Sequence, residues 1–150
     1  MAAAAEVRLS AEARNAVLAH GARDYPHEAC GLLLAPRGTP LRLVEAAPVA
    51  NLNTERAHDR YTLDPVGFRR AAEAAAARGL EVAGVYHSHP DHPARPSETD
   101  RVNAWAGWTY LILRVADGRP EELNGFRLEG ALHGSEGGAF VPVRLVVEQG

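Results

Sequence analysis

His87-Ser88-His89-Pro90, followed by Ser97 and Asp100, puts three zinc-competent side chains within fourteen residues. Histidines separated by one residue on an extended segment point to the same side, with α-carbons roughly 6.5–7 Å apart. That spacing lets both imidazoles reach one ion at about 2.0–2.1 Å, and Asp100 can add a carboxylate oxygen as the third ligand. Three protein ligands leave the fourth tetrahedral position to water. This is the arrangement of catalytic zinc, whereas a fourth Cys or His would mark a structural site. A zinc hydrolase is the first chemistry these residues suggest.

The same letters carry competing readings. Ser97-Glu98-Thr99-Asp100 is also a capping box, with Ser97 as N-cap and Asp100 at the third helical position. The two readings are compatible, because a helix pinned by Ser97 presents Asp100 from its first turn, close to the histidines. His87-x-His89-x-Asp91-His92 also has the H-x-H-x-D-H form of metallo-β-lactamase-like dinuclear hydrolases. That fold needs further distant ligands, the only downstream histidine is His133, and the chain is short for its two layers. In the mononuclear reading, Asp91 and His92 are solvated loop residues. A metal-bound water also needs a proton acceptor. Glu28, in Pro26-His27-Glu28-Ala29-Cys30-Gly31, lies at the entry to an apolar run. Desolvation there would move its pKa towards general-base values. From local sequence alone it could equally be a turn glutamate, and Glu6, Glu12 and Glu45 compete with it.

The elements that must position these groups read as follows. Ser10 is an N-cap for a helix over 11–23, with Leu9, Ala13, Ala16, Val17 and His20 near helical spacing. Gly31–Ala35 predicts a buried strand ended by Pro36 and Gly38, and Leu41–Val49 a second strand returning after that turn. Asp64-Pro65 starts a helix that runs to Arg78, with Phe68, Ala72 and Ala75 on one face and Gly79 ending it. Leu80–His87 is the strand that delivers the histidines. Pro90, Pro93 and Pro96 stiffen the irregular loop that follows. A helix over 98–106 and strands over 108–115, 123–128 and 140–147 complete an α+β reading of a sheet with two or three helices, organised as one domain over 1–150.

Composition narrows the setting. A chain of 150 residues can bury about 68–70% of its unfolded surface, so no disulfide or structural metal is required to hold the core. The single Cys30 excludes an internal disulfide and reads as a small core residue, with no neighbouring base to make it a nucleophile. No apolar run approaches the ~18 residues of a membrane span, and Ala2–Ala5 lacks the features of a signal peptide, so cytoplasmic is the expectation. A net charge of -3 disfavours nucleic acid as a partner. All sixteen basic residues are arginine, so the chain offers no lysine amine as an isopeptide acceptor.

Taken together, Glu28, then His87-Ser88-His89-Pro90, six residues, and Ser97-Glu98-Thr99-Asp100 resembles the pattern of the JAMM (JAB1/MPN/Mov34) metalloproteases. Pro26–Gly31 is similar to the Glu-bearing segment of the short prokaryotic members, and Tyr61-Thr62-Leu63-Asp64-Pro65 to the junction before the metal strand. The similarity runs from about Ser10 to Val115, and the C-terminal third matches only in strand pattern. The resemblance implies an MPN/JAB-like (cytidine-deaminase-like) mixed β-sheet flanked by two or three helices. It implies one Zn2+ per chain held by His87, His89 and Asp100, with Glu28 as general base and Ser97 as oxyanion donor. The implied reaction is hydrolysis of an amide or isopeptide bond after the C-terminal glycines of a ubiquitin-like or sulfur-carrier protein. A Gly-Gly tail has no side chains and can thread a narrow groove. The chain is too short for the insertions with which eukaryotic members grip ubiquitin. The rival is a non-catalytic MPN-type scaffold, against which the filled motif speaks. A DNA-repair-associated relative would usually carry Asn where Ser88 stands.

Overall fold

The computed structural model describes residues 4–53 and 62–149, so Tyr61 of the expected strand-to-helix junction lies outside the described residues. The chain runs through Glu6–Ser10 (β1), Ala11–Asp24 (α1), Cys30–Pro36 (β2), Arg42–Leu43 (β3), Glu45–Val49 (β4), Pro65–Ala77 (α2), Leu80–Pro90 (β5), Glu98–Val102 (α3), Thr109–Ala116 (β6), Arg119–Glu129 (β7), Ala139–Pro142 (β8) and Arg144–Glu148 (β9).

A six-stranded sheet has the order β4-β2-β5-β6-β7-β8. Every pairing in it is antiparallel except β5 with β6. A parallel pair cannot be closed by a hairpin, so the chain must cross over between the two strands, and α3 lies on that crossover. The histidines therefore end the first strand of the parallel pair, and Asp100 lies on the segment that leaves it. The sheet is mixed and the described residues carry three α-helices, as the α+β reading expects.

β2, β5 and β6 are apolar without alternation because both faces of the sheet are covered. On one face Leu33, Tyr86, Leu111 and Leu113 form a core with Val17 of α1 and Leu9 of β1. On the other, Leu32, Val85 and Tyr110 pack with Ala75 of α2. Burying each such leucine stabilises the fold by about 1.5–3 kcal/mol. Gly31 is opposite Tyr86 in the register, and a β-carbon there would lie 2.4 Å from the Tyr86 ring. Side chains alternate along β5, so His87 and His89 share the Val85 face and Ser88 the Tyr86 face.

Several elements differ from the sequence expectation. The strand expected over 41–49 breaks at Val44, whose N–H donates to the Leu34 carbonyl (2.9 Å). Its first part, β3, joins β1 in a second sheet, and its second part, β4, pairs with β2. The strand expected over 140–147 likewise breaks at Val143, with β8 continuing the large sheet and β9 pairing with β1. β1 itself was not anticipated. It forms the middle of the three-stranded sheet β3-β1-β9. The helix expected to reach Ala106 stops at Val102, because Ala104 turns into the core and Trp105 bridges to His133. Ser10 caps α1 as expected, accepting from the Ala13 amide at 3.0 Å, and its hydroxyl also donates to the Val44 carbonyl at 2.9 Å. Among the described residues no helix is long and apolar enough to cross a membrane.

Candidate metal centre

β5 runs on through His89 to Pro90, three residues further than expected. His87 pairs with Cys30 on one side and Ile112 on the other, and its residue exposure is 1%. Sheet neighbours on both sides leave it one direction to point. Its Nε2 lies 3.0 Å from the Nε2 of His89. The Oδ2 of Asp100 lies 3.3 Å from the first and 3.5 Å from the second.

Asp100 is held by its own short helix. Ser97 caps α3, its hydroxyl oxygen accepting from the Asp100 amide at 3.0 Å while Asp100 Oδ2 accepts from the Ser97 amide at 2.8 Å. This is the expected capping box. The helix is braced from outside by Arg101, whose guanidinium donates to the carbonyls of Gly134 and Gly137 at 3.0 and 3.1 Å. A β-carbon on Gly134 would fall 1.6 Å from the Arg101 carbonyl, so only glycine admits this approach.

The three converging atoms fit one small cation. Ligands at 2.0–2.1 Å from a tetrahedral zinc stand about 3.3–3.4 Å apart, and the observed separations of 3.0, 3.3 and 3.5 Å bracket that edge. His89 Nδ1 lies 2.8 Å from the Pro93 carbonyl, so that nitrogen carries the hydrogen and Nε2 keeps its lone pair for a metal. The charge states of two of the three suit the same role. Burial lowers the His87 pKa, favouring its neutral form. Burial also acts to lower His89, but hydrogen bonds to Asp100 and Pro93 outweigh it and raise that ring. Asp100 would be pushed up by burial, yet His87 and the hydrogen bonds around it hold its carboxyl below the ordinary range, so it is ionised. A carboxylate and a neutral imidazole are the binding forms of these ligands, so Asp100 and His87 already hold theirs, whereas His89 gives up a proton on binding.

Glu28 joins this cluster from the start of β2. It is 3% exposed, and its carboxylate lies within 4.8 Å of a ring nitrogen of each histidine. Of its sequence competitors, Glu45 is hydrogen bonded to Arg78, which lowers its pKa, and Glu6 is within 3.5 Å of Arg8. Glu12 sits in the first turn of α1. Among the described residues the dinuclear parse finds no second set of ligands. His133 packs against Trp105 and bonds Ser135. Asp91 is exposed but is not merely solvated: it accepts from the Tyr25 hydroxyl at 2.6 Å and the Asp117 amide at 2.9 Å. His92 is exposed and lines the cleft described next. Cys30 is buried beside His87, and burial pushes its thiol up to about 12, which removes it as a nucleophile.

Glu28, His89, Ser97 and Asp100 open on one cavity of about 1000 Å³ whose walls include Phe68 and Trp108. Sequence reasoning missed these aromatic walls, although both tryptophans of the chain fall within eight residues after Asp100. It also missed Arg101, and it missed Asn51, whose amide nitrogen donates to the Glu28 carbonyl at 3.0 Å. Nothing in the letters around Asn51 signals that contact.

Comparison with known proteins shows the family. The family described as prokaryotic homologs of the JAB domain matches residues 10–129. The chain is 41% identical over 117 residues to the desampylase of Haloferax volcanii, covering 74% of this chain and 81% of that one. It is 32% identical over 126 residues to the CysO-cysteine peptidase of Mycobacterium tuberculosis, covering 83% and 84%. The crystal structure of AF2198, a JAB1/MPN domain protein from Archaeoglobus fulgidus, superposes with a TM-score of 0.57 at 17% identity, covering 94% of this chain and 98% of that one. The last likeness bears on the fold alone. With its motif, its fold and its relatives in accord, the chain belongs to the prokaryotic JAB-domain family and is an enzyme of the JAMM peptidase type.

Proposed function

We propose that residues 1–150 form one zinc-dependent metallopeptidase that hydrolyses the amide or isopeptide bond after a C-terminal Gly-Gly tail. The partner is a ubiquitin-like or sulfur-carrier protein, met in the cytoplasm. The observation that carries this reading is the clustering of His87, His89, Asp100 and Glu28, with Glu28, His89, Ser97 and Asp100 opening on one cleft. His87, His89 and Asp100 would hold one Zn2+. When bound, the ion activates a water and polarises the scissile carbonyl.

The chain's own groups do the rest. Glu28 takes a proton from the attacking water and passes it to the leaving amine nitrogen, so one carboxylate serves as base and then as acid. Ser97 donates a hydrogen bond to the carbonyl oxygen as it gains charge. Its oxygen already accepts from the Asp100 amide, which leaves the O–H hydrogen to donate. The cleft walls hold the tail while excluding water from the reacting bond. A glycine tail suits a cleft roofed by aromatic rings, since it brings no side chains to clash. The relatives named as acting on CysO-cysteine and as a desampylase support this substrate class.

The test is direct. The zinc-loaded protein is incubated with a carrier–amino acid adduct and with a carrier–lysine conjugate, and product masses identify the leaving group. One zinc per chain and cleavage of at least one substrate are expected. Glu28→Gln should retain the metal and lose about 10²–10⁴ in kcat. Full activity in that variant would remove Glu28 as the base, and a wild-type protein that binds no zinc would overturn the reading.

A further inference from the structure

Glu28 precedes the first residue of β2, so regular ladder bonds do not yet fix its backbone. The peptide group joining Glu28 to Ala29 is instead held at both ends by side chains. Its carbonyl oxygen accepts from the amide nitrogen of Asn51 at 3.0 Å. Its N–H, that of Ala29, donates to the hydroxyl of Ser88 at 2.8 Å. A trans peptide points these two groups in opposite directions, so the two side chains grip one plane from opposite edges. A gripped plane cannot rotate, and its orientation sets the direction in which the Glu28 side chain leaves the backbone.

Both grips come from elements that already belong to the cleft. Ser88 stands between the two histidines of β5, is 2% exposed, and its own amide donates to the Ala29 carbonyl at 2.9 Å. Asn51 follows β4. Its side-chain oxygen accepts from the amides of Asn53 at 3.0 Å and Thr62 at 2.9 Å, and both of those residues line the cleft. Ser88 thus ties the carboxylate to the histidine strand, and Asn51 ties it to the cleft wall.

We infer that Ser88 and Asn51 are positioning residues that together fix the Glu28–Ala29 peptide and so aim the Glu28 carboxylate at the metal centre. This inference rests on the reading of Glu28 as the base. Neither residue lines the cleft, so their removal should lower kcat and leave KM and zinc content nearly unchanged. A misaimed proton acceptor loses rate steeply with small displacements, on the order of 10²-fold for about 1 Å.

Asn51→Asp is the sharpest probe. It keeps an oxygen for the Asn53 and Thr62 amides and replaces the donor to the Glu28 carbonyl by an acceptor. Ser88→Ala removes the other grip. Zinc-loaded variants are assayed on a ubiquitin-like carrier bearing a C-terminal aminocoumarin amide after Gly-Gly. Each is expected to retain one zinc per chain and to lose about 10–10²-fold in kcat. In a Glu28→Gln background, neither should cost anything more, because there is no base left to aim. Hydrogen exchange at the Ala29 amide, read by NMR, should quicken by about tenfold or more in Ser88→Ala as the protecting bond is lost.

Equal losses with and without Glu28 would overturn the inference, as would loss of zinc or an unchanged kcat. Should Ser88→Ala fail to fold, Asn51→Asp decides the matter, and failure of both to fold would make them plain fold residues. If the wild type cleaves no substrate, the proposed function fails while Ala29 exchange still reports on the grip.

Discussion

The two halves of the candidate metal centre are built of different material. His87 and His89 project from a strand in the middle of a six-stranded sheet, with His87 at 1% exposure and Glu28 beside them at 3%. Asp100 and Ser97 project from a helix of five residues with no buried member. A helix that short has little stability of its own. Its position comes from one capping box and from Arg101, which reaches across to the segment after β7. The histidine half is therefore preorganised by the global fold, whereas the aspartate half is docked onto it. Damage to the first should cost fold and metal together. Damage to the second should cost metal and rate while the core stays intact.

The largest expected effect separates these halves. His87→Ala removes a fully buried ring and should destabilise the zinc-free protein by about 2–4 kcal/mol, beyond abolishing zinc binding. Asp100→Asn keeps an oxygen to accept from the Ser97 amide, so the cap survives. It should also lose tight zinc binding, yet shift the stability of the zinc-free protein by no more than about 1 kcal/mol. Chelator competition measures the metal, and urea melts in a chelating buffer measure the fold. Equal destabilisation by the two substitutions would break the comparison.

A smaller effect tests the docking itself. Arg101→Ala removes the brace while leaving every group that faces the cleft. Outer supports of metal ligands typically matter by about 10–100-fold in affinity, and the expected loss of zinc affinity lies in that range. Global stability should fall by only about 1 kcal/mol, because the guanidinium is partly exposed and its bonds exchange with water. Hydrogen exchange should quicken over 98–105 and 131–138 and stay unchanged along β5. If protection along β5 fell as well, the two halves would be one cooperative unit.

The same division explains what the sequence made legible. The proposed zinc ligands could be picked out because all three fall within fourteen residues, where spacing along a strand and one helical turn fixes geometry. The apolar run of β2 and the caps Ser10 and Asp64 were readable for the same reason, being local. Glu28 could not be chosen over Glu45 by local physics, since its partner strand lies nearly sixty residues away, and family resemblance supplied it. β1 was illegible because Val7 and Leu9 are buried only through pairing with β3 and with β9 at the other end of the chain. The breaks at Val44 and Val143 are likewise decided by which sheet each half joins. Arg101 reads as an ordinary i,i+3 partner of Glu98, a pairing that does exist, and its second role is set by a loop more than thirty residues downstream.

The smallest expected effect concerns what stands behind the histidine strand. Tyr86 precedes His87 and points to the opposite face, where its hydroxyl lies 2.7 Å from Nδ1 of His20 on α1. His20 Nε2 lies 3.0 Å from Asp24. Burial lowers the His20 pKa, and the Asp24 charge only partly opposes it. The neutral ring therefore donates from Nε2 to Asp24 and accepts from the Tyr86 hydroxyl. A histidine whose folded pKa lies below its unfolded value of about 6.5 binds protons better when unfolded. Its contribution to stability is present above that unfolded value and is lost as pH falls through the folded pKa. Urea melts of the zinc-free protein between pH 7.5 and 5.5 should show stability declining with pH, and His20→Gln should flatten part of that decline. The difference between the two pH profiles isolates His20 from His87 and His89, which titrate in both proteins. A decline of the same size in His20→Gln would take it away from His20 and leave His87, whose pKa is also lowered, as its source among the histidines of the cluster, since His89 is raised and acts in the opposite sense.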